Sequence, residues 1–184
     1  MPILGIIASA ITGNLVTNSY ESIATVTVGS GGASNIEFTS IPSGFTHLQI
    51  RLINDTSAGD VNIRAQFNGD TGGNYSWHTL YGPGNGSAYS DFNGVSSTYY
   101  GSFSRGGNGS GIFGASIVDI LDYKNTNKYK TVRSLTGKDS NGAGIMWLSS
   151  GLWQSTTAIS SIKIFPESGN FNQYSQFALY GVRA

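Results

Sequence analysis

The sequence predicts an all-β protein. Two observations carry that expectation: short runs of alternating apolar and polar residues recur from Tyr20 to the C-terminal end, and turn residues separate the runs. The expected architecture is a jelly-roll-like antiparallel β-sandwich of about 8–11 strands. An extended N-terminal segment, residues 1–19, precedes a sandwich domain of residues 20–184. No window of ten or more residues shows a 3.6-residue period, so helix is expected to be minor.

Taken in order, Ala24, Val26 and Val28 alternate with Thr25 and Thr27, and Ile36 and Phe38 with Asn35 and Glu37. Leu48, Ile50 and Leu52 share one face against His47, Gln49 and Arg51. Val61, Ile63, Ala65 and Phe67 face away from Asn62, Arg64 and Gln66. Further strand-like runs fall at 75–81, 97–103, 112–121, 128–135, 143–149, 158–165 and 174–183, rich in β-branched and aromatic residues. Asn-Gly pairs at 68–69, 85–86, 93–94, 108–109 and 141–142 supply the positive φ that tight turns require. Gly29-Ser30-Gly31-Gly32 reads as a hairpin tip rather than a phosphate cradle, because no lysine and no helix follow it. Residues 82–111 read as a long glycine-rich loop bearing Tyr89, Phe92, Tyr99, Tyr100 and Phe103, a composition suited to recognition.

Composition narrows the function. The 184 residues carry ten Lys+Arg and ten Asp+Glu, and charged residues are 11% of the chain against the usual quarter. Gly, Ser, Thr and Asn, 82 residues together, must solvate the surface instead. A hydrophobic share of 39% is enough to drive folding, which excludes disorder. Nucleic acid is not an expected partner. The densest basic run, Lys124, Lys128, Lys130 and Arg133, lies beside Asp119 and Asp122 and reads as a solvated strand end. The absence of cysteine removes thiolate chemistry and disulfides, and His47 and His78 cannot alone make a multi-histidine metal site.

The N-terminal twenty residues carry no charge, and Ile3, Leu4, Ile6 and Ile7 form their apolar centre. The segment lacks a basic n-region and is too short to cross a bilayer, so it reads as neither a secretory signal nor a membrane span. Exposed, these four side chains would aggregate, and they are expected to anchor the protein to a partner.

A search for catalysis finds little. Asp119 and Asp122 would point to opposite faces of a strand, Asp55 and Asp60 form the other acidic pair, and no Gly-x-Ser-x-Gly elbow accompanies the serines. Phe67 to Asn74 carries oxygen ligands without the acidic density of a calcium loop, and turn chemistry explains it better. No catalytic residue, metal or cofactor is expected. Aromatic residues could build a sugar platform from the three tryptophans with Tyr75, Tyr81 and Tyr180, although Trp147 and Trp153 read first as core or subunit interface.

Four segments carry a resemblance: Phe67-Asn68-Gly69-Asp70 through Trp77-His78, Asp119 through Thr131, Ser149-Ser150-Gly151-Leu152-Trp153, and Phe177 through Val182. Together they resemble small virion structural proteins of tailed bacteriophages, found as head decoration (cement) proteins and as distal parts of fibres. The opening Met1-Pro2-Ile3-Leu4-Gly5-Ile6-Ile7-Ala8-Ser9 resembles attachment or trimerisation elements of phage structural proteins. The resemblance implies a homotrimer without catalytic activity on the outer surface of the virion, bound to the major capsid protein. The alternative is a fibre tip, joined to tail proteins, that binds a host-surface glycan through Tyr75, Trp77, Tyr99, Tyr100 and Arg105.

Overall fold

The computed structural model describes residues 19–108 and 111–183. The anchor residues Ile3, Leu4, Ile6 and Ile7 lie outside the described residues. The chain is an antiparallel β-sandwich, with twelve strands among the described residues, just above the expected range: β1 (Tyr20–Thr27), β2 (Ile36–Phe38), β3 (His47–Asn54), β4 (Asn62–Phe67), β5 (Tyr75–Gly82), β6 (Tyr89–Ser97), β7 (Tyr100–Arg105), β8 (Gly114–Leu121), β9 (Lys130–Asp139), β10 (Gly144–Trp153), β11 (Ile162–Pro166) and β12 (Gln176–Val182). Eight strands form one sheet in the order β1-β12-β3-β8-β9-β10-β5-β6, and four form the other in the order β2-β11-β4-β7.

Alternation decides which side chains enter the core. Leu48, Ile50 and Leu52 of β3, Val118 and Ile120 of β8, and Phe177 and Leu179 of β12 point inward from the large sheet. They meet Ile36 and Phe38 of β2, Ile63, Ala65 and Phe67 of β4, and Ile162 and Ile164 of β11. The edge strand β7 lies across β8, β9, β10 and β5, and its Tyr100 and Phe103 are fully buried. Room for these rings comes from small inward residues, Ser116, Ser134, Thr136, Ser149 and Gly151; the Ser116 hydroxyl pairs with Ser104 and Thr136, each at 2.7 Å, and Ser149 pairs with Thr79 at 2.8 Å. Buried hydroxyls are tolerated when partnered in this way.

Three sequence expectations are corrected. Residues 82–111 are not one loop, because they contain β6 and β7, and Asn93-Gly94 lies inside β6 rather than at a turn. Glycine and serine alternate there with aromatics that pair across strands, which masks the period of two. Gly29–Gly32 is not a hairpin tip. β1 pairs with β12 and β2 with β11, so this turn carries the chain from one sheet to the other. Lys130 is not solvated: it occupies an inward position of β9, in phase with Val132 and Ser134, and is completely buried. Asn141-Gly142 does make the β9–β10 hairpin turn, with φ of 56° and 100°.

Close approach fixes Gly181 of β12. A Cβ there would come within 2.2 Å of the Phe45 ring, so Gly181→Ala must displace that ring. The expected loss is about 1–3 kcal/mol, the usual cost of overpacking, read from the chemical denaturation midpoint.

Candidate interaction surface

The outward face of the eight-stranded sheet is where the structure departs most from an ordinary solvated surface. Ile117 pairs with Leu135, Leu135 with Leu148, and Leu148 with Leu80, so four aliphatic side chains stand in one row across β8, β9, β10 and β5. Each is 45% to 55% exposed. Beside this ridge runs a second row, Ile53, Ala115, Gly137, Met146 and Gly82, in which two glycines and an alanine leave a trough. On the ridge's other side Gln49, Asp119, Arg133, Ser150 and His78 form a polar row. Phe92, 70% exposed, stacks on His78 at 5.8 Å.

Hollows of about 620 and 470 Å³ open onto this face, one along the trough and one between Leu80, Phe92, Leu121 and Leu148. The charges are internally compensated. Gln49 donates to Asp119 at 2.9 Å, Arg133 donates to the same carboxylate at 2.7 Å, and Arg51 lies over the Tyr20 and Tyr180 rings. A face of this kind, apolar at its centre with polar flanks, is the composition of a protein contact rather than of a solvated sheet.

Of the residues expected to form a recognition site, Trp77 and Tyr99 meet, and the others are buried or held elsewhere. Tyr75 and Tyr100 are buried in the core and cannot meet a ligand. The Tyr75 hydroxyl donates to Asp70 O and accepts from Phe67 N, and burial pushes its pKa up. Trp77 is packed against the core and stacks on Tyr99, whose own ring lies under Arg64 at 4.1 Å. Arg105 donates to Asp60 and Asn62 and lies over the Trp147 ring at 4.8 Å. Trp147, Tyr81 and Tyr89 stack in series at 4.8 and 5.4 Å, so they give up to each other the ring faces a sugar would use. Of the other platform candidates, Tyr180 lies under Arg51 and Trp153 is buried.

The acidic pairs also separate. Asp119 is held by Arg133, and Asp122 by Lys128 with His47 alongside. Asp55 is buried and accepts from Asn172 at 2.8 Å. Burial acts to raise the Asp60 pKa, but Arg105 and Lys138 outweigh it and the carboxyl sits below its ordinary value. Asp70 closes the turn after β4, accepting from Trp153 Nε1, Asn74 and Gly72 N, as turn chemistry anticipates. Among the described residues no group of three or more His, Asp or Glu side chains converges as metal ligands would.

Sequence reasoning missed the outward row, although a signal for it exists. Ile117-Val118, Ile120-Leu121 and Met146-Trp147-Leu148 place apolar residues at adjacent positions, so both faces of a strand are apolar, which a strand with one wet face does not require.

No family model and no curated protein matches the chain. Among solved structures, an alginate lyase bound to an alginate trisaccharide is similar at 12% identity, covering 89% of this chain and 98% of that one, with a TM-score of 0.31. A likeness this distant carries no argument about site or activity.

Proposed function

We propose that the protein is a structural protein of a tailed-phage virion, a decoration protein on the outer surface of the head. It works by protein contact and not by catalysis, without metal, cofactor, nucleic acid or membrane. Its partners are copies of itself, as a homotrimer, and the major capsid protein, whose neighbouring subunits it bridges. Binding the assembled shell in preference to the dissociated one stabilises the shell by mass action.

The observation that supports this reading is the aliphatic row Ile117–Leu135–Leu148–Leu80, which needs a protein to cover it. The sequence resemblance supplies the virion, and the low surface charge suits dense packing. The fibre-tip alternative is disfavoured because its expected aromatic residues are buried or stacked.

Quantitative mass spectrometry of purified particles tests the reading. Hundreds of copies in simple ratio to the capsid protein are expected, and a few tens or fewer would overturn the decoration role. Leu148→Asp puts a charge at the centre of the row and is expected to weaken particle binding about thirtyfold or more, the scale of an interface hot spot.

A further inference from the structure

The outward side chains of β9 read, along the strand, Arg133, Leu135, Gly137 and Asp139. Laid antiparallel on a second copy of itself, this strand sets arginine over aspartate and leucine over glycine at both ends. We propose that two copies of the chain pack face to face through the outer surface of the eight-stranded sheet, about a twofold axis that crosses the strands between Leu135 and Gly137. This inference rests on reading that face as an assembly surface, and it names the occupant.

β8 and β5 obey the same rule, while on β3 the axis sets Arg51 over Ile53. The axis brings Ile117 of one copy over Ala115 of the other, and Leu80 over Gly82, so the ridge of each copy seats in the trough of its mate. At β10 Leu148 meets Met146, a flexible side chain that fills irregular space. Such reciprocity is what a twofold interface demands, because one patch must complement itself.

Charge agrees with shape. Arg133 and Asp139 are both exposed and lie on opposite sides of the axis, so each Arg133, already paired with Asp119 of its own chain, meets the mate's Asp139 as a second carboxylate, while no like charges on β9 are brought together. The dimensions also suffice. Eight strands about 4.8 Å apart and roughly seven residues long make a face of about 800 Å², close to what each partner buries in a standard interface. A twofold contact is compatible with a threefold one made elsewhere, and together they would close six chains.

Multi-angle light scattering and sedimentation of the full chain test this. An even number of chains is expected, two alone or six where the threefold also forms. Gly137→Leu fills the trough and is expected to raise the twofold dissociation constant about thirtyfold or more, while circular dichroism stays unchanged. A Cβ at Gly137 meets only the Met146 sulfur, at 3.6 Å, so the fold accommodates the substitution. The exchange Leu135→Gly with Gly137→Leu swaps ridge and trough on this strand and is expected to restore association to within about threefold of the native value.

An association that survives Gly137→Leu but is lost in Leu148→Asp would overturn the twofold and leave the assembly surface standing. Association lost only on removing residues 2–18 would put the N-terminal segment on the face and overturn it equally. A full chain that stops at trimers at about 100 μM, yet coats particles, would overturn the twofold alone; one that stays monomeric and does not coat particles would overturn both readings.

Discussion

Lys130→Met is expected to cost about 3 kcal/mol or more of stability, because several buried acceptors lose their donor at about 1–3 kcal/mol each. The ammonium is completely buried at the start of β9 and shares its three N–H donors among four backbone carbonyls: Asn125 O at 2.6 Å, Lys128 O and Thr156 O at 3.1 Å, and Ser155 O at 3.4 Å. These carbonyls belong to two separate loops, the one entering β9 and the one leaving β10. Methionine keeps most of the volume but leaves the acceptors facing a thioether, and each buried acceptor left unpaired carries its desolvation penalty. Burial, with the charge of Lys128 adding to it, already holds the lysine pKa below its ordinary value. For a chain of this length the midpoint of thermal unfolding should fall by on the order of 10 °C. A fall of about 2 °C or less in differential scanning calorimetry would mean that the loops are held by other contacts.

Asp70→Ala is expected to lose about 3–4 kcal/mol, because charge-assisted hydrogen bonds are worth more than neutral ones. The carboxylate accepts from Trp153 Nε1 at 2.7 Å, from Asn74 Nδ2 at 3.0 Å and from Gly72 N at 2.8 Å. Trp153 is itself packed with Phe67 and Tyr75, at ring separations of 5.6 and 6.4 Å, so this one side chain fixes the corner where the small sheet hands over to the large one. Burial raises the Asp70 pKa, but these hydrogen bonds more than offset it, and the folded-state value lies below 3.8. The sign follows from linkage. The contribution is fully present above the unfolded-state value and is lost as pH falls through the lower folded-state value. Denaturation midpoints measured from pH 6 down to pH 2 should therefore drop less steeply in Asp70→Ala than in the native chain. Equal slopes would show that Asp70 is not among the groups that make the fold acid-sensitive.

Both positions show what could and could not be read from the sequence. Leu48-x-Ile50-x-Leu52 and Ile63-x-Ala65-x-Phe67 state their inward face openly, and the structure buries these residues. Lys130 is in the same phase as Val132 and Ser134, yet a charged residue in a buried phase reads as solvent-facing until its carbonyl partners are known, and those lie up to 26 residues away. β6 was hidden, and β7 was legible only in part as the run 97–103, for another reason. A bulge breaks the pairing of β4 with β7 between Ile63 and Ala65, and the buried Tyr100 and Phe103 stand three apart, so no strict period of two survives. The recognition residues failed because aromatic content identifies contact area without saying what is contacted. Here most of it is contacted from within, by Gly151 under Tyr100 and Arg64 on Tyr99.

The pairing of β1 with β12 sets a condition on how the molecule is made. The first described strand has its neighbour in the last, Tyr20 opposite Val182, and Arg183 N donates to Ser19 O at 3.0 Å. β2 likewise waits for β11. A chain emerging from the ribosome N-terminus first therefore carries β1 and β2 without partners until β12 and β11 have been synthesised. During that interval β3, the neighbour of β12, keeps one edge open, whereas β8, β9 and β10 already have both of theirs. Yield in the cell should depend on how quickly the C-terminal strand arrives.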